Sequence, residues 1–192
     1  MTVITRARAR RSSMSAAAVV ALSVVALSVV ALSVADPDAA SAAEAPPAQS
    51  CSYDLGTRAL VCVDAGDDLD RAVLEQTGVV VVANPDRAAV TRALAAGVQT
   101  TFVQAQLYDD AGYGGAFFQI TNSSSCTGST TWYFGPLRNV GWSGRVSSFK
   151  SFSGCSTKLW EGDAYTGASY GYAVDASSLG GMNDRAGSVT LR

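Results

Sequence analysis

The sequence predicts a mainly β protein, a two-motif β-sandwich preceded by a small disulfide-bonded α/β module. Three observations lead there. Helical periodicity stops near Thr100, and beyond it glycines, serines and aromatics recur at short intervals among β-branched residues, the pattern of short strands joined by turns. Within that region a motif occurs twice. All four cysteines lie beyond an N-terminal segment that has the features of an export signal, which favours disulfides over free thiols.

The N-terminal segment carries Arg6, Arg8, Arg10 and Arg11, then an uncharged apolar run from Ser15 to Ala35, then Ala40-Ser41-Ala42. Basic residues, an apolar stretch and a small-x-small site in that order mark a secretory signal peptide, here 1–42. The apolar run is long enough to span a bilayer, but Asp36, Pro37 and the cleavage site follow it instead of a basic stop, so removal is expected. Residues 43–50, with Pro46-Pro47, read as a flexible leader. The whole chain has a formal net charge of −2, and loss of the arginine-rich segment makes the remainder more acidic. That leaves no electrostatic footprint for nucleic acid and no polybasic patch for a membrane. The expected protein is secreted and extracellular.

Residues 51–103 read as the α/β module. Between Cys51 and Cys62 the turn residues Asp54 to Thr57 are flanked by apolar residues. Four cysteines permit three pairings, and a hairpin here favours Cys51–Cys62, which leaves Cys126 for Cys155. A zinc site is disfavoured, because the chain has no histidine and no Cys-x-x-Cys. Asp67 or Asp68 can cap a helix running to about Gln76, with Leu69, Val73 and Leu74 on its apolar side and Gly78 at its end. Val79 to Ala83 predicts a short buried strand. Asn84-Pro85 then starts a second helix that stops at Gly97.

In the sandwich region, Leu107-Tyr108-Asp109-Asp110-Ala111-Gly112-Tyr113-Gly114-Gly115 aligns with Leu159-Trp160-Glu161-Gly162-Asp163-Ala164-Tyr165-Thr166-Gly167. Further on, Gly141-Trp142-Ser143-Gly144-Arg145-Val146-Ser147-Ser148 aligns with Gly181-Met182-Asn183-Asp184-Arg185-Ala186-Gly187-Ser188. The second spacing is shorter, so the first unit carries an insertion, placed between Asn122 and Pro136 around Cys126.

This pairing of an aromatic-x6-Gly hairpin with a later serine resembles the Greek-key motif of the βγ-crystallins, and two such motifs would make one sandwich over 104–192. The resemblance implies that Tyr108 and Trp160 open the hairpins, Tyr113 and Tyr165 pack the corners, and Gly115 and Gly167 take positive φ. Ser148 and Ser188 would tie the hairpins down. Alanine should therefore be tolerated less at Gly115 or Gly167 than at Gly128 or Gly154.

Many microbial members of that family hold Ca²⁺ through an arc of two Asn/Asp residues, two variable residues, Ser or Thr, then Ser. Asn183 and Asp184 keep the acidic pair of the second arc, but Gly187 stands where the hydroxyl belongs. The first arc keeps Ser147 and Ser148 and lacks the pair. The expectation is no cofactor beyond weakly held Ca²⁺, with Asn183 and Asp184 as ligands and Asp109, Asp110, Glu161 or Asp163 in support.

An enzyme is not expected. Without histidine there is no Ser-His-Asp or Cys-His arrangement, and neighbours such as Asp109-Asp110 project apart. The chain is similar to secreted bacterial metalloproteinase inhibitors of crystallin-like fold, which implies an extracellular protease as partner. The insertion, with Trp132 and Tyr133 beside Cys126, is the candidate binding loop, and the alternative is that its aromatics fill the core. A structural or weakly calcium-binding extracellular role and a killer-toxin-like role are the other readings.

Overall fold

The structure, a computed structural model, describes residues 48–83 and 87–192. The predicted signal peptide, residues 43–47 of the leader, and the predicted cap Asn84-Pro85 lie outside the described residues. The leader is shorter than expected, because Gln49 and Ser50 open strand β1 (Gln49–Asp54) and Ser50 accepts a hydrogen bond from the Phe117 N–H at 3.2 Å.

β1 runs antiparallel to β2 (Leu60–Asp64) with Cys51 opposite Cys62, and the two are bridged. Helix α1 (Leu69–Thr77) begins where the Asp68 carboxylate accepts from the Arg71 N–H, and it ends at Gly78 with φ 73°. A left-handed residue that closes a helix is most cheaply a glycine. Leu69 and Val73 are buried, but Leu74, expected on the same face, is 44% exposed. It lies about 100° round the helix from Val73, outside the narrow stripe that a nine-residue helix presents to the sheet. Strand β3 (Val79–Val82) is half-buried instead of buried, since it pairs only with the start of β4 (Gln99–Asp110). The connection between these two parallel strands is helix α2 (Arg87–Ala95).

The remaining strands are β5 (Gly114–Asn122), β6 (Trp132–Phe134), β7 (Ser148–Ser151), β8 (Thr157–Trp160), β9 (Ser169–Ala173), β10 (Asp175–Ala176) and β11 (Ser188–Leu191). One sheet has the order β10-β7-β4-β5-β1-β2, with β3 also on β4, and the other has the order β6-β11-β8-β9. Each motif gives its third strand to the other motif's sheet: β6 pairs with β11, and β10 pairs with β7. The fold is thus a two-motif Greek-key sandwich whose halves are interlocked. The predicted boundary at residue 103 falls inside β4, and β1 lies parallel to β5 in the same sheet, so residues 51–103 and 104–192 share one continuous sheet.

Period-two alternation in β4 and β5 sends Leu107, Phe118 and Ile120 between the sheets, where they meet Phe149, Leu159, Val189 and Leu191. Phe118 stacks on Phe134 at 5.3 Å and tilts against Trp142 at 5.6 Å. The opposite face of β5 is covered as well. Phe117 packs with Val61, Leu69 and Val73 beneath α1. Beside them, the Gln119 side-chain amide donates to Asp70 of α1 at 3.0 Å and accepts from Gln106 at 2.8 Å, while the Tyr108 hydroxyl donates to Gln106 at 2.7 Å.

Because β5 belongs to both cores, the described domain should unfold as one unit. Phe118→Ala is expected to cost about 3–5 kcal/mol in urea. Val73→Ala, under α1, should shift the same single transition when followed by both circular dichroism and tryptophan fluorescence. Two separated transitions would show residues 51–103 to be an independent module.

Candidate functional site

The two folded hairpins are built alike. The Ser148 hydroxyl accepts from the Tyr113 N–H at 3.0 Å and donates to the Asp110 carbonyl at 2.6 Å. Ser188 does the same with the Tyr165 N–H at 3.1 Å and the Gly162 carbonyl at 2.6 Å. Both serines are fully buried. Each hydroxyl thus satisfies one donor and one acceptor that the bent hairpin cannot pair within itself. Tyr113 and Tyr165 hold φ of 66° and 60°, which is uncommon for a residue with a side chain, and Gly115 and Gly167 follow at 73° and 83°. Tyr108 meets Tyr113 edge-on at 5.8 Å. Trp160 instead donates its indole N–H to Thr190 and lies under Lys158 at 3.6 Å, while Tyr165 packs edge-on against Tyr133 at 5.1 Å.

The contrast expected among glycines is only partly present. Gly128 and Gly154 also take positive φ, at 80° and 76°, so all four resist substitution. Space separates them further. A Cβ on Gly115 would lie 2.8 Å from an Asp110 oxygen, whereas one on Gly167 would meet nothing nearer than 3.6 Å. Sequence spacing showed the motif position of these glycines and not the crowding around them.

The two late arcs lie side by side. The Gly144 N–H donates to the Ala186 carbonyl at 3.1 Å, and the Asp184 N–H donates to the Val146 carbonyl at 3.0 Å. Asp184 Oδ1 accepts from Ser147 at 2.9 Å and Oδ2 from the Asn183 amide at 2.7 Å, so these two candidate ligands are hydrogen-bonded to each other and to the first arc. Three of the four hairpin acids, Asp109, Glu161 and Asp163, are engaged by arginines. Arg145 clasps both oxygens of Asp109, at 2.8 and 2.5 Å, and donates to the Gly141 carbonyl at 3.2 Å. Arg185 clasps Glu161 at 2.7 and 3.2 Å and donates to the Gly181 carbonyl at 2.8 Å. The hydrogen bond and charge of Arg185 hold the Glu161 carboxyl below its ordinary value. Arg138 pairs with Asp163. Among the described residues no three His, Cys, Asp or Glu side chains gather to hold a metal. Ca²⁺ takes six to eight oxygens, and of the candidate carboxylates here Asp109, Glu161 and Asp163 are turned to guanidinium groups while Asp184 is turned to Ser147 and Asn183. The arginines were missed at the sequence level, although Arg145 and Arg185 occupy one aligned position in the two motifs.

The insertion is divided. Ser123 to Thr131 form the loop, anchored by the Cys126–Cys155 bridge. Trp132-Tyr133-Phe134 are not part of that loop but form β6, because they supply the third strand of their motif. Phe134 is buried in the core and Trp132 packs against it from the side. Tyr133 points the other way and is 60% exposed. Of the two candidate contact residues, Tyr133 is exposed and Trp132 is half-buried.

No family model matches the chain, and no curated protein matches it. Solved structures are similar in part. A βγ-crystallin domain from Clostridium beijerinckii is 24% identical, with 46% of this chain covering 95% of that one at a TM-score of 0.37. A βγ-crystallin domain from Flavobacterium johnsoniae is 22% identical, with 46% and 92% covered and a TM-score of 0.36. The N-terminal domain of Protein S is 14% identical, with 46% and 94% covered and a TM-score of 0.38. The fold is βγ-crystallin-like. What identifies it within this structure is the exchange of third strands together with the two serine-tied hairpins.

Ser148→Ala and Ser188→Ala should each strand a buried N–H and a buried carbonyl, with an expected cost of about 2 kcal/mol or more in urea. Gly115→Ala should lower the melting temperature more than Gly167→Ala, since it adds a clash to the cost of positive φ. Equal losses at the two glycines would remove Asp110 crowding from the account.

Proposed function

We propose that this chain is a secreted binding protein of βγ-crystallin-like fold that inhibits an extracellular peptidase, with a metalloproteinase as the leading class. The observation that carries the reading is Tyr133. It is an aromatic ring exposed to solvent on a three-residue strand whose neighbours are packed into the core, next to a loop anchored by a disulfide. Such a side chain is already ordered before it meets a partner, and preorganisation reduces the entropy lost on binding. The Tyr165 ring behind it limits its movement further. Secretion is supported by the N-terminal sequence and by two disulfides, and among the described residues no helix is long and apolar enough to cross a membrane. Binding without catalysis is supported by the absence of histidine and by the pairing of Asp109, Glu161 and Asp163 with arginines.

Calcium has no required part in this reading, because guanidinium groups take the charge-neutralising role at both hairpins. Millimolar Ca²⁺ should therefore change the melting temperature little, and EDTA should not destabilise the protein. A large upward shift at micromolar Ca²⁺ would show that the arcs can rearrange around the ion, with Asn183 and Asp184 as the first positions to mutate.

The functional test is a panel of secreted metallo-, serine and cysteine peptidases assayed with the purified protein. Tyr133→Ala should weaken inhibition by about 2 kcal/mol, as expected of an interface anchor, while lowering the melting temperature only by the small amount that loss of the Tyr165 ring contact accounts for. Trp132→Ala should lower stability instead. If no peptidase is slowed at micromolar protein, the inhibitor reading gives way to a structural or killer-toxin-like role.

A further inference from the structure

A second feature uses residues other than Tyr133 and lies outside the serine-tied hairpins. Where the β1–β2 hairpin, α1 and the start of β3 meet the start of β4 and the end of β5, they border a half-open pocket of about 470 Å³. That volume falls in the range of small-ligand sites, about 300–1,000 Å³. Its apolar wall is formed by Ala59, Val61, Val73 and Val79.

Its single charged lining residue is Asp54, and no lysine or arginine lines it. Asp54 Oδ1 accepts from the N–H groups of Gly56 and Thr57, at 3.0 and 2.8 Å, and from the Thr57 hydroxyl at 3.1 Å. Oδ2 accepts from the hydroxyls of Thr101 and Thr121, at 2.6 and 3.1 Å. Five accepted hydrogen bonds, with none donated, favour the ionised form. Partial burial works to raise this carboxyl, but hydrogen bonds from Thr101, Thr57 and Thr121 outweigh it and hold the group below its ordinary value. Among the described residues no ion pair neutralises it.

Four of the hydroxyls that line the pocket, those nearest Asp54 and at the end of α1, have their protons committed. Thr57, Thr101 and Thr121 donate to Asp54, and Thr77 donates to the Val73 carbonyl at 2.7 Å. Each hydroxyl has one proton, so these four residues have no O–H to offer a guest, only oxygen lone pairs. Around Asp54 the pocket is therefore acceptor-biased and negatively charged, beside an aliphatic wall, although Thr57 and Thr77 each already accept one backbone N–H, from Ala59 and Val79. It disfavours carboxylates and phosphates and suits a cation with a short hydrocarbon body. A guanidinium recognises a carboxylate by a planar two-point fork, and the oxygens of Asp54 are already occupied in that respect. A compact ammonium, with three donors and no need of a planar partner, suits separate hydroxyl oxygens near a fixed negative charge.

We propose that this cavity is a binding site for a primary alkylammonium group, whether that of a free aliphatic amine or of a lysine side chain. The proposal goes beyond the inhibitor reading and rests on different residues. The test uses the isotopically labelled full chain, titrated with n-butylammonium, Nα-acetyl-lysinamide, n-butanol and butyrate, with backbone amide shifts followed by NMR. Both ammonium probes should move the Thr57, Thr77 and Thr101 resonances saturably. If the lysine derivative binds more tightly, the natural source is a polypeptide, and if n-butylammonium does, it is a free amine. Asp54→Asn should weaken ammonium binding about tenfold or more. Because Asp54 also organises its turn, Ala59→Leu provides a second variant that narrows the cavity without altering those hydrogen bonds, and it should reduce binding too. Equal responses to n-butanol and n-butylammonium, or no cavity shifts with either ammonium probe, would overturn the proposal.

Discussion

The serine hydroxyl beneath each folded hairpin is the constraint from which the sandwich is built. A hairpin bent back over its own sheet leaves an N–H and a carbonyl that cannot join either ladder, and burial of those groups unpaired would cost more than the bend gains. Ser148 and Ser188 satisfy both groups at once, and each begins the last strand of its motif. The bond therefore joins the first hairpin to the strand that closes the motif. With that closure in place, the third strand cannot pair within its own sheet and crosses to the other, where β6 meets β11 and β10 meets β7. The interlocked halves then share one core, in which Leu107 and Leu159 occupy matching positions.

A second layer of pseudo-symmetry is electrostatic. In each motif one arginine reaches from the late arc to an acid in the hairpin and to a carbonyl four residues before itself. The two clasps are not equal in surroundings. Arg145 also lies over the buried Trp142 at 4.2 Å, and its pair with Asp109 is more sheltered than the Arg185–Glu161 pair. Solvent screens the exposed pair, so it adds little to stability, whereas the sheltered one is held in a single geometry by stacking and by two oxygens. A bound cation in this position would dissociate with its concentration in the medium. A covalently attached guanidinium does not.

What could be read in the sequence was whatever depends on local spacing. The caps of α1, the Cys51–Cys62 hairpin and the aromatic, glycine and serine positions of the two motifs are set by residues within a few places of each other, and their chemistry is visible in a single chain. The parallel pairings of β1 with β5 and of β3 with β4 are different, because nothing in Gln49–Asp54 states which distant strand it will join. Trp132-Tyr133-Phe134 gave no local sign of being a strand, since three aromatics serve a loop or an edge equally well, and only the ladder with β11 decides. Arg145 and Arg185 were visible as an aligned pair, but their partners lie far back in the chain. The cavity at Asp54 is contributed by six elements and has no sequence signature at all.

Departures from the twofold pattern mark where this chain differs from a bare pair of motifs. In the first sheet, β5 would be an exposed edge, and the β1–β2 hairpin covers it while α1 covers its outer face. In the second sheet the corresponding strand, β9, has no such cover among the described residues, and the opposite edge is the short β6. An open edge invites pairing with other chains unless it is short or otherwise blocked. Three residues followed by Gly135 and Pro136, which has no N–H to donate, keep β6 from extending into a template for strand addition. Main-chain recognition is thereby restricted at this edge, and the groups left to meet a partner are side chains. The side chain that this edge presents to solvent is Tyr133. The added segment thus seals one sheet and borders the Asp54 pocket, while at the edge of the other sheet β6 turns one aromatic ring outward.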